Sequence, residues 1–345
     1  MTAEAVPTTV VFAGGYAELA EEIRSLGLMR RRPLFYAVLS TIIVLAMVGA
    51  VAGLVLLRHS WWAVLLAPVS GVLSAQLGFF AHDAAHRQIS RKERPSRMLG
   101  LVSGNLLNGL SYGWWLTKHN SHHAHPNDLE SDPDVYAGVV VFDREQGSRR
   151  RGVAGWVTKY QAWLFLPMLT LEGLNLHASS IRAVLRPGLR HRRVEAVLLT
   201  LHFAGYVALL ALTLSWSHAL VFFVVHQAVF GVYLGCSFAP GHKGMPVLEP
   251  EQAADPLLRQ VLTSRNVRGG HLVSAVMGGL NFQIEHHLFP SMPRPHLYHA
   301  QRVVRRFCED RGVSYEVATI AATYAAVARH LDAVGSDLRG ATRAH

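Results

Sequence analysis

The chain has 345 residues, of which 50% are hydrophobic and 16% are charged, and its formal net charge is +10. This length could hold one large or two average soluble domains, but the apolar bias favours an integral membrane protein. The basic residues flank long apolar runs, where they would meet anionic lipid headgroups, so the charge does not indicate binding to nucleic acid.

Four apolar runs predict membrane-spanning helices, after an amphipathic lead over residues 1–33. The first run, residues 34–57, has 24 residues without a charge, enough at about 1.5 Å per residue to cross a hydrocarbon layer of about 30 Å. The predicted spans are residues 34–57, 61–81, 195–215 and 218–240. Residues 82–194 and 241–345 are predicted to form a helical cap, so that residues 1–345 make one all-α membrane domain.

Lysine and arginine are distributed unequally between the links. They number 4 before the first span, 1 between the first and second, 16 between the second and third, none in the next link and 12 afterwards. The positive-inside rule therefore predicts that both termini and the cap lie in the cytosol. The preference for arginine over lysine favours a GC-rich bacterium as the source, and hence a bacterial cytoplasmic membrane.

Parts of the cap are also apolar. Residues 98–116 contain four glycines together with Asn105 and Asn108, which predicts a re-entrant or interfacial stretch instead of a lipid-facing span. Residues 156–176 predict an interfacial helix pair. Two more helices are predicted at about residues 295–309 and 315–334.

Seven histidines fall into three clusters beside the apolar runs. The motifs H-D-A-A-H, H-N-S-H-H and Q-I-E-H-H use offsets of three and four residues, which place side chains on one face of a helix. Chance gives roughly 0.07 H-x-x-H-H patterns in such a chain, so loosely binding histidine-rich loops are the weaker interpretation. The clusters comprise His82 and His86; His119, His122 and His123; and Gln283, His286 and His287.

Imidazole nitrogens at this density predict a metal centre. A structural metal site is closed by about four ligands, so seven clustered histidines are enough for two ions. The ligand type permits iron, zinc, copper or nickel. A lipid chain as substrate, held at the membrane, favours iron and oxygen chemistry.

The order of these motifs resembles that of the integral-membrane fatty acid desaturases. The Q-I-E-H-H form is similar to the branch that contains front-end and linoleoyl-type acyl desaturases. Supporting matches are K-H-N-S-H-H-A-H-P-N at residues 118–127, D-P-D at 132–134 and G-G-L-N-F-Q-I-E-H-H-L-F-P at 278–290. The likeness covers nearly the whole chain.

The resemblance implies a fatty acyl desaturase that uses O2 and two electrons at a centre of two non-haem iron ions. It implies that the seven clustered histidines are catalytic and bind the metal. It adds His242, just after the last predicted span, and Gln283, which stands where other branches have a histidine, to the metal ligands.

The resemblance also implies partners. The substrate is a fatty acyl chain carried as acyl-CoA or acyl-lipid, in contact with membrane lipids. Many Q-x-x-H-H relatives have a fused cytochrome b5 domain marked by H-P-G-G, a motif that this sequence does not contain. We therefore expect a separate electron donor, such as a ferredoxin or a flavin reductase.

Other polar residues have two interpretations each. Four carboxylates either orient ligand imidazoles or are solvated, and His202 and His226 within spans are either functional or bonded between helices. Tyr112, Trp114 and Trp115 either line an acyl tunnel or anchor an interfacial helix. His125 and His271 are weaker ligand candidates than His242. The four carboxylates are Asp83, Asp132, Asp134 and Glu285.

Two alternative functions remain at this stage. A related membrane hydroxylase or ketolase would use the same ligands and yield an oxygenated product. A histidine-rich metal transporter would need ligands in the middle of the spans, whereas the clusters lie at or beyond the span ends. The position of the double bond, the acyl chain length and the carrier are not encoded in the motif spacing.

Overall fold

The computed structural model describes residues 15–136 and 138–341, and their regular structure is almost entirely helical. The predicted all-α membrane fold is confirmed. The first fourteen residues of the predicted amphipathic lead, Ala137 and residues 342–345 lie outside the described residues. The helices in chain order are α1 (Gly15–Ser25), α2 (Pro33–Leu56), α3 (Trp61–Val64), α4 (Leu66–Ala85), α5 (Glu93–Gly100), α6 (Tyr112–Ala124), α7 (Arg144–Ser148), α8 (Gly152–Lys159), α9 (Gln161–Leu169), α10 (Glu172–Leu185), α11 (Arg192–Thr213), α12 (Trp216–His242), α13 (Pro250–Ala254), α14 (Pro256–Leu262), α15 (His271–Val276), α16 (Gln283–Leu288), α17 (Arg294–Glu309) and α18 (Ile320–Ala341).

Within the described ranges, four helical segments are long and apolar enough to cross a bilayer: α2, α3 with α4, α11 and α12. The second and fourth extend further than predicted, so His82 and His242 lie in the helices and not beyond them. Ala84 and Ala85 favour this extension because alanine is the best helix former. Helix α4 then ends at Ala85 with His86 as its cap, since Arg87 adopts the left-handed backbone conformation, with φ of 55°.

Helices α4 and α12 form the centre of the bundle. They approach closely at Gly71, where a Cβ atom would lie 2.8 Å from Val229 Cβ and 2.9 Å from the His226 carbonyl oxygen. Small residues at such crossings allow the van der Waals packing that holds membrane helices together. Nearer the histidine side, Phe79 of α4 packs with Phe230 of α12.

Helix α2 packs on α4 and keeps most of its apolar surface exposed. Leu45 and Leu56 are 65% and 82% exposed, respectively. A continuous exposed apolar face of this kind is unfavourable in water but suits contact with lipid chains.

The predicted re-entrant stretch forms a bent connection between α5 and α6. A π-helix covers Leu101–Leu106, and the chain then turns at Gly109, which has φ of +67°. The turn leaves two carbonyl groups without helical partners. His202 Nδ1 donates to the Leu106 oxygen and His177 Nδ1 to the Gly109 oxygen, each at 3.0 Å, which meets the requirement that buried backbone groups be satisfied.

The cap packs as two groups of short helices. Helix α1 shares an apolar core with α14, α16 and α17, while α18 packs on α7, α8 and α9. The helix predicted from about residue 315 was wrong at its start, because β2 (Val317–Ala318) pairs in parallel with β1 (Asn266–Val267) and α18 begins only at Ile320.

Candidate metal centre

The predicted ligands come from four helices that end or lie at one side of the bundle. The end of α4 carries the first cluster and α6 the second, while α12 ends with His242 and α16 carries the third cluster. Helical offsets direct each cluster to one face, as the spacing predicted. The structure therefore brings together all nine predicted metal-site residues, and His86 and His123 are the only two of them that are not fully buried.

One group of ring nitrogens is formed by His82, His86, His119 and His286, and their ligand atoms all lie within 4.8 Å of one another. His82 Nε2 is 3.2 Å from His286 Nε2, and His86 Nε2 is 2.8 Å from His119 Nε2. Four imidazoles at this separation match the ligand number of a tetrahedral metal ion or leave room for further ligands on a larger coordination shell.

A second group is formed by His122, His242 and His287. His122 Nε2 is 3.3 Å from His242 Nε2, and the Gln283 side-chain amide lies 2.9 Å from the same His242 nitrogen. Gln283 thus lies against His242, at the edge of the second group.

His123 lies between the two groups. Its Nε2 is 3.0 Å from His119 Nε2 in the first group, and its ring stacks on His287 of the second, with centroids 4.1 Å apart. The two groups are therefore neighbours and could hold two ions side by side.

The hydrogen bonds of these rings test whether a cation fits. His122 Nδ1 donates to Asp132 at 2.9 Å, and His242 Nδ1 donates to the Thr263 carbonyl at 3.0 Å. With Nδ1 used in this way, the Nε2 atoms of the two rings face each other at 3.3 Å, and the Gln283 amide nitrogen lies within donating distance of His242 Nε2, at 2.9 Å. Metal-binding histidines typically donate one ring nitrogen to a carboxylate or a carbonyl and present the other to the ion, so the donor set fits a bound metal ion.

The third ring of this group behaves in the same way. His287 Nδ1 donates to Gln260 Oε1 at 3.0 Å, while its Nε2 is buried and has no hydrogen-bond partner among the described residues. A buried polar atom is rarely left unpaired. Its lone pair therefore points to a ligand that the protein chain does not provide.

Burial keeps the rings in the form that binds metal. It is the main cause that lowers the pKa of four cluster imidazoles well below the usual 6.5, and neighbouring histidines lower each further. These rings are consequently neutral at pH 7, and a neutral imidazole has a free lone pair to donate. The four are His119, His123, His286 and His287.

The four predicted carboxylates differ in their contacts. Asp132 contacts the His122 ring, and Asp83 lies 3.3 Å from His82 Nδ1 and 2.7 Å from Arg294. Asp134 pairs with Lys118 at 2.5 Å. Burial works to raise the pKa of Asp134, but Lys118 and His122 outweigh burial and lower it.

The fourth carboxylate, Glu285, holds the cap instead of a ligand ring. It accepts hydrogen bonds from Asn266 at 2.8 Å and from Tyr315 at 2.5 Å. Burial raises its pKa to about 7, against the opposing effect of these two hydrogen bonds. Glu285 therefore links α16, which carries the third cluster, to β1 and to the segment before β2.

The structure also shows which of the aromatic and weaker histidine candidates lie at the metal centre. Trp115 stacks on the His119 ring, with centroids 4.3 Å apart, so it forms part of the wall of the centre. Tyr112 is buried against Gly100. His125 and His271 are exposed and lie outside both groups.

Sequence reasoning missed a buried glutamate that holds the start of α6. Glu195 Oε2 accepts hydrogen bonds from Asn105 Nδ2 at 3.1 Å, Ser111 Oγ at 2.6 Å and the Gly113 amide at 3.3 Å. The sequence did hold one indication of this role, because Glu195 lies in a predicted span and an ionisable group there is by default functional or paired.

Four apolar helices and a buried double group of imidazoles at one end define an integral membrane protein with a centre suited to metal ions. Residues 59–319 match the family described as Fatty acid desaturase. The chain belongs to the fatty acid desaturase family.

Several characterised desaturases are similar over most of the chain. Delta(5) fatty acid desaturase fat-4 of Caenorhabditis elegans is 30% identical over 88% of this chain and 69% of its own length. Delta(8)-fatty-acid desaturase 2 of Arabidopsis thaliana is 26% identical over 87% and 70%. The Acyl-lipid (9-3)-desaturase of Physcomitrium patens is 31% identical over 71% of this chain and 48% of its own length.

These likenesses confirm the predicted function as a membrane fatty acyl desaturase, an oxidoreductase that acts on a fatty acyl chain. They favour desaturation over the hydroxylase, ketolase and transporter alternatives.

Proposed function

We propose that this desaturase acts through two non-haem iron ions held by the two groups of imidazoles. The observation that supports it most is the convergence of His122 Nε2 and His242 Nε2, 3.3 Å apart, in a site where both Nδ1 atoms are already used. When bound, the iron pair would supply the activation of O2 needed to remove two hydrogens from an unactivated methylene pair.

In this proposal His82, His86, His119 and His286 hold one ion, and the second group of His122, His242 and His287 holds the other. His123 lies where it can serve either ion. Gln283 lies beside the second group, where its amide nitrogen is 2.9 Å from His242 Nε2 and its amide oxygen is buried without a hydrogen-bond partner among the described residues. We propose that all seven clustered histidines are catalytic. Together with His242 and Gln283 they form the proposed set of metal-site residues.

The overall reaction balances with two electrons. One –CH2–CH2– unit, O2, two electrons and two protons yield one –CH=CH– unit and two molecules of water. The chain's own residues keep the rings neutral and oriented and exclude bulk water by burial. We propose that the electrons come from a separate protein, such as a ferredoxin or a flavin reductase.

A cavity of about 530 Å³ supports access of the acyl chain to the centre. Its wall combines His86 and apolar side chains such as Leu101 and Leu116 with charged ones such as Arg87 and Glu93, so an acyl chain within it would pass one of the ligand rings and its polar head would meet charged groups. We propose this cavity as the approach to the metal centre, with the substrate presented as acyl-CoA or acyl-lipid.

The histidine side of the bundle is proposed to face the cytosol of a bacterial cell. The support is the excess of Lys and Arg in the links on that side, which the positive-inside rule assigns to the cytosol.

Product analysis in a membrane host tests the function. The full chain is expressed with iron and a suitable reductase, and total fatty acids are separated and their double bonds located by mass spectrometry. We expect one new double bond, absent with His122→Ala. A hydroxylated chain would favour the hydroxylase instead, and an unchanged fatty acid profile would contradict the proposal.

A further inference from the structure

A second cavity, of about 470 Å³, is lined by four arginines and no carboxylate among the described residues. Its walls come from the segment before α2, from the loop after the first histidine cluster and from the residues after the third. We call it the arginine cavity. Its lining residues are Arg24, Gly27, Met29, Arg30, Arg31, Arg91 and Ser291.

The positive charges in the arginine cavity are poorly compensated by the protein. Arg30 and Arg91 have no side-chain hydrogen bond or ion pair with any described residue. Arg24 pairs with Glu21, but both side chains are exposed, and such pairs are weak. The cavity therefore keeps an excess of positive charge.

Arg31 is the most constrained of the four. Its Nη1 donates to the Ser291 carbonyl at 2.7 Å, while its Nε is buried without a hydrogen-bond partner among the described residues. Burial lowers the pKa of Arg31, and the like charge of Arg91 lowers it further. Both effects would be relieved by an anion between the two guanidinium groups.

The arginine cavity lies at the membrane surface on the histidine side. Arg30 and Arg31 come just before α2, which begins at Pro33. Ser291 lines this cavity and also the larger cavity that reaches His86. A group bound here would therefore sit at headgroup depth, next to the proposed approach to the metal centre.

We propose that the arginine cavity binds the phosphate group of a lipid-type molecule. Guanidinium groups match the geometry of phosphate oxygens and bind them through paired, charge-assisted hydrogen bonds. The phosphate comes either from a bilayer phospholipid or from the phosphate-bearing head of the acyl substrate. Only the second source rests on the proposed function, because the first needs no turnover.

Binding is measured on the purified full chain in detergent micelles by native mass spectrometry. The two probes are phosphatidylglycerol, for a bilayer lipid, and coenzyme A, for a substrate head. The test variant Arg30→Gln with Arg91→Gln removes two cavity charges that bond to no described residue. The matched control, Arg192→Gln with Arg193→Gln, removes two exposed charges at the start of α11, outside the arginine cavity.

We expect the test variant to weaken binding of at least one probe by about tenfold or more, as expected for the loss of charge-assisted hydrogen bonds. The control variant should change the affinity for either probe by less than about twofold, since surface charges outside the cavity act only through long-range attraction. A second variant, Arg30→Lys with Arg91→Lys, keeps the two charges but removes the paired guanidinium donors. It should give an intermediate loss of probe affinity while preserving the fold.

The outcome identifies the source of the phosphate. If the test variant loses affinity for phosphatidylglycerol alone, the phosphate belongs to a bilayer lipid. If it loses affinity for coenzyme A, the phosphate belongs to the head of the substrate. Equal loss in the test and control variants, or no specific binding of either probe, overturns the proposal. Probe binding is measured without turnover. An enzyme that is inactive but still binds its probe would therefore contradict the proposed function and leave the phosphate site standing.

Discussion

Two sets of buried or half-buried histidines lie in this protein, and they differ in what their ring nitrogens face. In the metal centre, nitrogens of different rings face one another at 2.8–3.3 Å. In the second set, which comprises His177, His202 and His226, each ring bonds to a backbone carbonyl, a serine or a tyrosine. Burial alone therefore does not distinguish the two sets, whereas the convergence of ring nitrogens from different histidines does.

The largest effect is expected for His122→Ala, which removes a ring from the second group. Activity should fall more than about a hundredfold, because even the partners that orient ligands are worth about 10–100-fold. Iron bound per protein should fall as well. Both are measured on the purified enzyme, by product formation and by elemental analysis.

The matched control for that change is His125→Ala, which alters an exposed histidine at the end of the same helix. It should keep activity within about twofold, as surface substitutions usually have small effects. Full activity in His122→Ala would contradict the two-ion assignment.

A smaller loss is expected for Asp132→Asn, which removes the charge beside His122 Nδ1 while keeping the side-chain size. Losing such a partner lowers metal affinity or activity by about 10–100-fold. Iron binding is titrated with a competing chelator. Asp128→Asn, in the same loop, serves as the control because, among the described residues, its carboxylate bonds only to the Glu130 and Ser131 amides. Equal loss in both variants would argue against the role of Asp132.

The sequence could predict the ligand rings but not most of what orients them. The offsets within H-N-S-H-H already place three rings on one face of a helix, whatever the tertiary fold. Gln260 and Thr263 come from a segment without any motif, and they reach His287 and His242 only because the chain returns to the centre through α14. His242 could be named only through the family resemblance, because a single histidine forms no spaced motif.

The same division applies to the fold. Long apolar runs predicted four spans, because length and hydrophobicity are local properties. The π-helix at Leu101–Leu106 and the delayed start of α18 depend on partners distant in the chain, namely His202 and Glu195 in one case and the strand Asn266–Val267 in the other. Such tertiary contacts override local preference.

An intermediate effect on stability is expected for Glu195→Ala. It would leave three donors at the start of α6 without an acceptor, at a cost of about 1–3 kcal/mol each, and should lower the melting temperature and the iron content together. Glu195→Gln should cost less, within about 1 kcal/mol, because one amide oxygen can take the place of Oε2, which accepts all three bonds.

The two variants are compared by thermal unfolding of the purified protein and by iron per protein. An equal loss of stability in both would mean that the charge of Glu195, and not its hydrogen bonds, holds the start of α6.

The smallest effect on the metal is expected for His202→Leu, which tests the second set of histidines directly. The substitution leaves the Leu106 carbonyl without its donor, so stability should fall by about 1–3 kcal/mol. Iron per protein should stay unchanged, because His202 belongs to none of the described groups of three or more potential ligands. Loss of iron without loss of stability would show that an embedded histidine serves the metal centre, and the distinction between converging ring nitrogens and rings bonded only to other protein groups would then fail.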